Sequence, residues 1–189
     1  LRTARQRAEV LVDRLAEYAE QNIPVVGCEP SCVSAIKEDY VDLVRDLPKA
    51  RRVAENFFLV EEFIARHWDD KKHGARFKPL AQEVLYHGHC HLKALFGTKA
   101  SKDALAQAAG CEVHEVDSGC CGMAGAFGYE KKHYEISMKI GEQRLFKQVN
   151  NAPTAQRVVA NGFSCRHQIE HGTGRKAKHA IEILAEALI

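Results

Sequence analysis

The residues with the clearest chemical potential in this 189-residue sequence are its seven cysteines. Two of them, Cys120 and Cys121, are adjacent in DSGCCGMAGAFGYE (117–130), where glycine recurs at every third position as Gly122, Gly125 and Gly128. The first two of these glycines are the ones nearest to the cysteine doublet. Thiolates are soft ligands for zinc and for iron–sulfur clusters, and glycine lets backbone N–H groups approach anionic sulfur closely. We therefore expect a metal or cluster site at this turn, with both glycines beside the bound group.

Two further cysteines follow predicted strands, as the doublet does. Cys90 ends EVLYHGHC (83–90), the doublet follows CEVHEVD (111–117), and Cys165 follows RVVANGF (157–163). The carboxyl ends of parallel strands lie along one edge of a sheet, where ligand sites form. The sequence therefore predicts one shared site built from Cys90, Cys120, Cys121 and Cys165.

The remaining cysteines have less certain roles. Cys32 follows an earlier predicted strand, so it is either a further metal ligand of the shared site or the remnant of a second one. Cys28 lies four residues before it in a CxxxC pair, which is compatible with metal binding without being diagnostic. Cys111 begins a strand, at the end opposite the ligands, and is predicted to be a buried core thiol.

Three histidines alternate with other residues around Cys90 in YHGHCHLKAL. If the strand continued through His91, then His87, His89 and His91 would share the face opposite Cys90. They could bind zinc, hydrogen-bond to a cluster or move protons. The alternative is that at least two of them only pack or hydrogen-bond near the site.

Hydrophobic periodicity and the positions of glycine and proline predict alternating strands and helices. The predicted helices are 2–21, 32–46, 49–72, 101–110, 130–150 and 175–188. The predicted strands are 23–30, 83–90, 111–117 and 157–163, and a polar loop is expected over 71–79. Such alternation predicts an α/β fold in which parallel sheets are flanked by helices.

One segment of the sequence is repeated. PVVGCEPSCVSAI (24–36) aligns with RVVANGFSCRHQI (157–169), so that the Ser–Cys pairs coincide and a long helix precedes each copy. We interpret this as a duplicated α/β unit whose first copy is truncated at its N-terminus. The predicted domains are then 1–80, the rear half of the first copy plus a helical connector, and 81–189, a complete second copy.

Composition excludes several classes of protein. The 27 basic and 25 acidic residues leave a net charge of +2, which gives no reason to expect nucleic acid as a partner. No apolar stretch approaches the roughly 20 residues that span a bilayer, and the charged start does not resemble a secretory signal. We therefore expect a cytoplasmic protein, or one bound peripherally at the cytoplasmic face of the membrane. In that reducing environment, seven cysteines indicate metal or redox chemistry.

The motifs HCHLKAL, SGCCGMAGAFGYE and GFSCRHQI together resemble the cysteine-rich CCG domain. This family includes the iron–sulfur subunit of glycolate oxidase, the B subunit of heterodisulfide reductase and the C-terminal parts of FAD-linked oxidases acting on D-2-hydroxy acids. The resemblance covers 84–189, and covers 1–40 as the rear of the first copy, whereas 45–80 has no match. The tail AKHAIEILAEAL favours the FAD-linked oxidase branch.

The resemblance implies that Cys90, Cys120, Cys121 and Cys165 bind a [4Fe–4S] cluster. It also implies electron transfer from FAD on another domain, reduced by a 2-hydroxy acid, towards a quinone or other carrier. The partners would be FAD-binding and ferredoxin-like domains of the same polypeptide or complex, and the fragment alone would not be catalytic.

One departure from the family pattern bears on the type of cluster. The heterodisulfide reductase branch ends in CxxC, where this chain has Cys165 followed by Arg-His-Gln, so the noncubane cluster of that branch is not expected. Two alternatives stay open: a structural zinc module that joins domains or subunits, and a thiol/disulfide redox domain using Cys120 and Cys121, although no CxxC is present.

Overall fold

A computed structural model of the protein describes residues 1–69 and 75–189. Within these residues the helices are α1 (Arg2–Glu20), α2 (Pro30–Ser34), α3 (Tyr40–Leu43), α4 (Leu47–Glu55), α5 (Val60–His67), α6 (Cys90–Leu95), α7 (Lys99–Asp103), α8 (Tyr134–Gln143), α9 (Leu145–Asn151), α10 (Phe163–Thr173) and α11 (Ala180–Ala187). The strands are β1 (Val25–Gly27), β2 (Phe57–Leu59), β3 (Glu83–His87), β4 (Glu112–Glu115) and β5 (Arg157–Ala160). Short π-helical turns continue α2 and α7, and two 3₁₀ turns precede α8.

The strands form two small parallel sheets. In the first, β1 pairs with β2, and in the second β3 lies between β4 and β5. All three strands of the second sheet run in the same direction, so their carboxyl ends meet at one edge. The prediction of an α/β fold with parallel sheets flanked by helices is confirmed.

Strands β3 and β5 of the second sheet are buried on both faces. Val84 and Tyr86 of β3 enter a core that contains Leu184 of α11, whereas Leu85 enters the core on the opposite face with Ile169 of α10. Parallel strands covered on both faces are apolar along most of their length, which explains the runs VLY in β3 and VVA in β5, whereas the edge strand β4 (EVHE) is more polar and more exposed. The buried Cys111 lies in the first of these cores, as predicted.

The first sheet has a separate core. Ala8, Val12 and Ala16 recur every four residues along α1 and are buried against Val53 of α4 and Phe57 of β2. This spacing places the three side chains on one face of the helix. The predicted helix at 2–21 is therefore confirmed within one residue.

The predicted helix at 49–72 is wrong in its middle. The chain leaves α4 at Asn56, forms β2, and re-enters helix at Val60. The β2 strand exists because Phe57 and Leu59 are buried while they pair with β1, a long-range contact that local periodicity does not reveal. The last part of that helix and the first part of the loop predicted at 71–79 lie outside the described residues, and beyond them Phe77 bridges to Leu188.

Several predicted boundaries also differ from the structure. The strands predicted at 83–90 and 157–163 end early, since α6 begins at Cys90 and α10 at Phe163. The helix predicted at 130–150 is divided at Arg144, whose φ of −140° is not helical. The remaining strands are shorter than predicted. The helix predicted at 32–46 corresponds to the stretch from α2 to α3, and the helix predicted at 175–188 begins later, at the first residue of α11.

The repeated sequence segments adopt matching local structure. Val25–Gly27 and the aligned 158–160 are both strand, and the helices that follow begin at the aligned residues Pro30 and Phe163. This agreement supports a duplicated unit, and the domain division at residue 80 stays a prediction. In the described part of the chain, no helix is long and apolar enough to cross a membrane.

Candidate metal centre

Four cysteines meet at the carboxyl edge of the second sheet. Cys90 is the first residue of α6, three positions beyond the end of β3, and Cys165 is the third residue of α10, which follows β5. Cys120 and Cys121 occupy the turn that follows β4. Only a few residues separate each thiol from the end of the preceding strand, since a helix or a turn begins directly after that strand.

These four thiols line one cavity of about 320 Å³. Its other lining residues are Ser31, His89, His91, Ala124, Gly125 and Ser164. Cys121 and Cys165 are buried, whereas Cys90 and Cys120 are partly exposed. The inner side of the cavity, at Cys121 and Cys165, is therefore protected from solvent, and the outer side, at Cys90 and Cys120, is accessible to it.

Each thiol shifts the pKa of its neighbour, in the order Cys90, Cys120, Cys121 and Cys165. The pKa of Cys120 is lowered because the Cys121 and Cys90 thiols donate to its sulfur. The pKa of Cys165 is lowered because the Cys121 thiol and the His87 imidazole donate to it. The pKa values of the two donors, Cys90 and Cys121, are raised by these same bonds and by burial. The direction of these shifts favours the thiolate form at Cys120 and Cys165.

The glycine-rich turn supplies backbone donors to this sulfur, as predicted. The Gly122 N–H lies 3.3 Å from Sγ of Cys120, and the Ala124 N–H also lowers the pKa of that thiol. Gly122 has φ of +97°, and a Cβ on it would lie 2.1 Å from the carbonyl oxygen of Ser137. Only glycine fits there. Gly125, with φ of +64°, faces the cavity directly.

The three histidines do not share a face, because the strand ends at His87 and the next helix begins at Cys90. His87 is fully buried, and its Nδ1 lies 2.9 Å from Oγ of Ser118. His89 caps α6 by accepting a hydrogen bond from the backbone N–H of His91. The imidazole of His91 in turn lies 3.0 Å from Oγ of Ser34. These contacts agree with the expectation that at least two of the three histidines only pack or hydrogen-bond near the site, which stays a prediction.

Part of the cavity wall comes from the first unit, which the sequence did not indicate. Glu29 accepts hydrogen bonds from Oγ of Ser31 at 3.0 Å and from the backbone N–H of Phe163 at 2.8 Å. This carboxylate therefore caps α2 and also holds the N-terminus of α10, the helix that carries Cys165. The repeat was the available signal, since it aligns Ser31 with Ser164 and both line the cavity.

Cys32 and Cys28 are not brought to this cavity. Both side chains are exposed, and neither is among the lining residues. In the described ranges 1–69 and 75–189, no three His, Cys, Asp or Glu side chains are arranged around a single metal ion.

The residues present fit an iron–sulfur cluster. Such clusters are held by four cysteine thiolates and stabilised by hydrogen bonds to sulfur, and both features are found at this cavity. Gln168 stands where a second cysteine would complete CxxC, and its amide instead donates to the carbonyl oxygen and hydroxyl of Ser137. The chain therefore offers four thiols at this cavity and no fifth from that position.

Comparison with known proteins agrees with this geometry. Residues 84–170 match the family described as a cysteine-rich domain, CCG. Over this region, somewhat less than half of its length, the chain is similar to that family. No solved structure matches the chain significantly.

The similar curated proteins are dehydrogenases. The C subunit of the anaerobic glycerol-3-phosphate dehydrogenase of Escherichia coli is 32% identical over 186 residues, which are 98% of this chain and 46% of that protein. The D-2-hydroxyglutarate dehydrogenases of Pantoea ananatis and Escherichia coli are each 29% identical, and cover 96% of this chain. The chain spans about half the length of the first relative and 17% of the other two.

Proposed function

We propose that this chain is the iron–sulfur electron-transfer domain of an FAD-linked dehydrogenase. The observation that carries the proposal is the meeting of four thiols, from three separate strand ends, at one cavity. The proposed ligands of a [4Fe–4S] cluster are Cys90, Cys120, Cys121 and Cys165. A bound cluster would accept and release one electron at a time.

The chain's own residues hold such a group and shape its surroundings. The N–H groups of Gly122 and Ala124 compensate negative charge on Cys120, and burial of Cys121 and Cys165 excludes water from the inner wall. Hydrogen bonds to sulfur and solvent exposure are the means by which a protein sets the potential of a cluster. The partly exposed Cys90 marks the side nearest to solvent, where a redox partner would approach.

The flavin belongs to another domain in this proposal. The sequence has no glycine-rich dinucleotide fingerprint after a strand, and the matched relatives are longer dehydrogenases. The substrate class we propose is a 2-hydroxy acid, which the name of D-2-hydroxyglutarate dehydrogenase supports. FAD-binding and ferredoxin-like domains would be its neighbours, and a quinone or other carrier would accept the electrons. The protein would lie in the reducing cytoplasm, including the cytoplasmic face of the membrane.

Metal analysis under anaerobic conditions tests the assignment. The chain is purified and reconstituted without oxygen, and its iron, sulfide and zinc contents are measured beside an absorbance spectrum. We expect about four irons and four sulfides per chain, with a broad absorbance near 400 nm. A colourless protein after reconstitution would contradict the proposal. About one zinc without sulfide would indicate the structural zinc module, and disulfide-reducing activity without metal would indicate the dithiol enzyme.

A further inference from the structure

Another cavity, of about 400 Å³, lies where the first unit meets the second. Its walls come from the π-helical turn after α2, from β2 and from α5 on one side, and from α6 and α7 on the other. Among the described residues, none that lines this junction cavity also lines the cysteine cavity. Cavities of this volume, placed between packed units, are typical of sites for small molecules.

Much of the wall of the junction cavity is apolar. Leu59 and Leu92 are 3% and 2% exposed, so they form its inner side. Ala65, Ala100 and the ring of Phe96 also line the cavity. An apolar ligand body would be removed from water against these side chains, which is favourable.

The cavity also contains a half-buried cation, the ammonium group of Lys37. Nζ donates hydrogen bonds to the carbonyl oxygens of Ala54 at 3.0 Å and Phe57 at 2.9 Å. It lies 5.5 Å from the ring centroid of Phe58 and 5.9 Å from that of Phe96. All of these partners are electrically neutral. Because an ammonium group has three N–H donors, one is left after the two carbonyls are satisfied.

The other charged side chains of the junction cavity are already paired. Arg66 lies 2.6 Å from Glu62, and Lys99 forms an ion pair with Asp103. Lys37 has no carboxylate within ion-pair distance among the described residues, so the wall carries one cation without a counterion. Burial lowers the pKa of Lys37, which reflects the lost hydration of its charge. An anion beside Nζ would compensate that loss.

We infer that the junction cavity binds a small carboxylate with an apolar body, whose carboxylate pairs with Nζ of Lys37 and whose body packs on Leu92 and Phe96. A hydrogen bond between an ammonium and a carboxylate is stronger than one between neutral groups, and more so when it is partly shielded from water. Lys37 belongs to the π-helical turn Ala35–Asp39, and such turns within helices are frequent at functional sites. The inference is independent of the cysteine cavity and of iron.

Isothermal titration calorimetry of the wild-type chain tests the inference with two probes of the same shape. The first is 2-naphthoate, which has a carboxylate on a flat apolar body, and the second is 2-naphthamide, which has the same body without the charge. We expect one 2-naphthoate to bind per chain. The amide should bind about tenfold more weakly, because it forms no charge-assisted hydrogen bond with Lys37.

Two variants assign the binding to this cavity. Lys37→Met keeps most of the apolar stem, and it should weaken binding of 2-naphthoate about tenfold while leaving the amide unaffected. Ala100→Leu places a larger side chain in the cavity wall, and it should weaken binding of both probes about tenfold or more. The control is Lys139→Met, the same substitution at an exposed lysine of α8, which should bind both probes as the wild type does.

Circular dichroism reports folding of each variant. If Lys37→Met does not fold, the comparison of the two probes on the wild type and the effect of Ala100→Leu decide. A wild-type chain that does not bind 2-naphthoate, or that binds both probes equally, would overturn the inference. Folded Lys37→Met or Ala100→Leu with the wild-type affinity for 2-naphthoate would also overturn it, because the probe would then be bound elsewhere.

Discussion

Two segments of this protein have aligned sequences and the same local structure, yet only one of them contributes a thiol to the cavity. In β1–α2 and in β5–α10 a short strand leads through two residues into a helix, whose third residue is Cys32 or Cys165. Cys165 is 2% exposed and lines the cavity with three other thiols, whereas Cys32 is exposed and does not line it. The strand–loop–helix unit therefore places a cysteine near the start of its helix. The elements packed around the unit determine whether that cysteine lies beside other cysteines.

The largest expected effect is the difference between these two cysteines. Cys165→Ser removes one of four thiols, and we expect iron to fall from about four per chain to less than about one after anaerobic reconstitution. Cys32→Ser should retain the full iron content, because Cys32 does not line the cavity. Equal iron loss in both variants would show that Cys32 belongs to the same centre, one of the two roles that its sequence position allowed.

The glycine turn gives the second unit what the first unit lacks in this sequence, a CCG motif. Gly122→Ala should destabilise the fold by about 4 kcal/mol, since it adds backbone strain at φ +97° to a collision with Ser137. Gly125→Ala is the matched control, because its φ is also positive but its Cβ meets no atom within 4 Å. That variant should cost only about 1 kcal/mol. Urea unfolding measures both, and similar values would show that the turn is free to relax.

A buried carboxyl near the junction of the two units should make stability depend on pH. Burial raises the pKa of Glu61 to about 7, and Nδ1 of His179 lies 3.5 Å from one of its carboxyl oxygens. Because the folded protein keeps the proton that the unfolded chain releases near pH 4.5, this contribution is complete below that pH. It is lost as the pH rises through 7, at a total cost on the order of 3 kcal/mol.

Glu61→Gln should therefore remove much of the loss of stability between pH 5 and pH 8, measured by urea unfolding at several pH values. Glu62→Gln is the control, since Glu62 pairs with Arg66 on the surface of the same helix. If the Glu61 variant and the wild type had parallel pH profiles, ionisation of Glu61 would not be the cause.

The smallest expected effect concerns the contact that joins the two compared segments. Glu29→Ala removes the cap that α2 and the N-terminus of α10 share, and should cost about 1 kcal/mol. Asp46→Ala removes a similar cap from α4, away from the cavity, at a similar cost. Only the Glu29 variant should also lose iron faster in air, because it loosens the helix that carries Cys165. The same rate of iron loss in both variants would limit Glu29 to a role in stability.

Much of the site could be predicted from the sequence because it depends on strand ends. The grouping of the four cysteines followed from parallel strands and from the resemblance to the CCG family, and the cavity agrees with it. The strand β2 was missed because FFL suits either a helix or a strand, and pairing with β1 decided it. The first residues of α6 and α10 were not predicted, because the apolar runs before them do not show where strand pairing ends.

By itself, the sequence determined the alternation of strands and helices, the soft-ligand chemistry of the cysteines and the need for glycine beside the doublet, since these depend on residue type and local spacing. Only the tertiary structure decided that Ser31 lines the cavity, that Glu29 holds the N-terminus of α10, and that Cys32 does not line the cavity. Contacts between residues more than a hundred positions apart depend on how helices pack on the two sheets. Local sequence patterns carry no record of that packing.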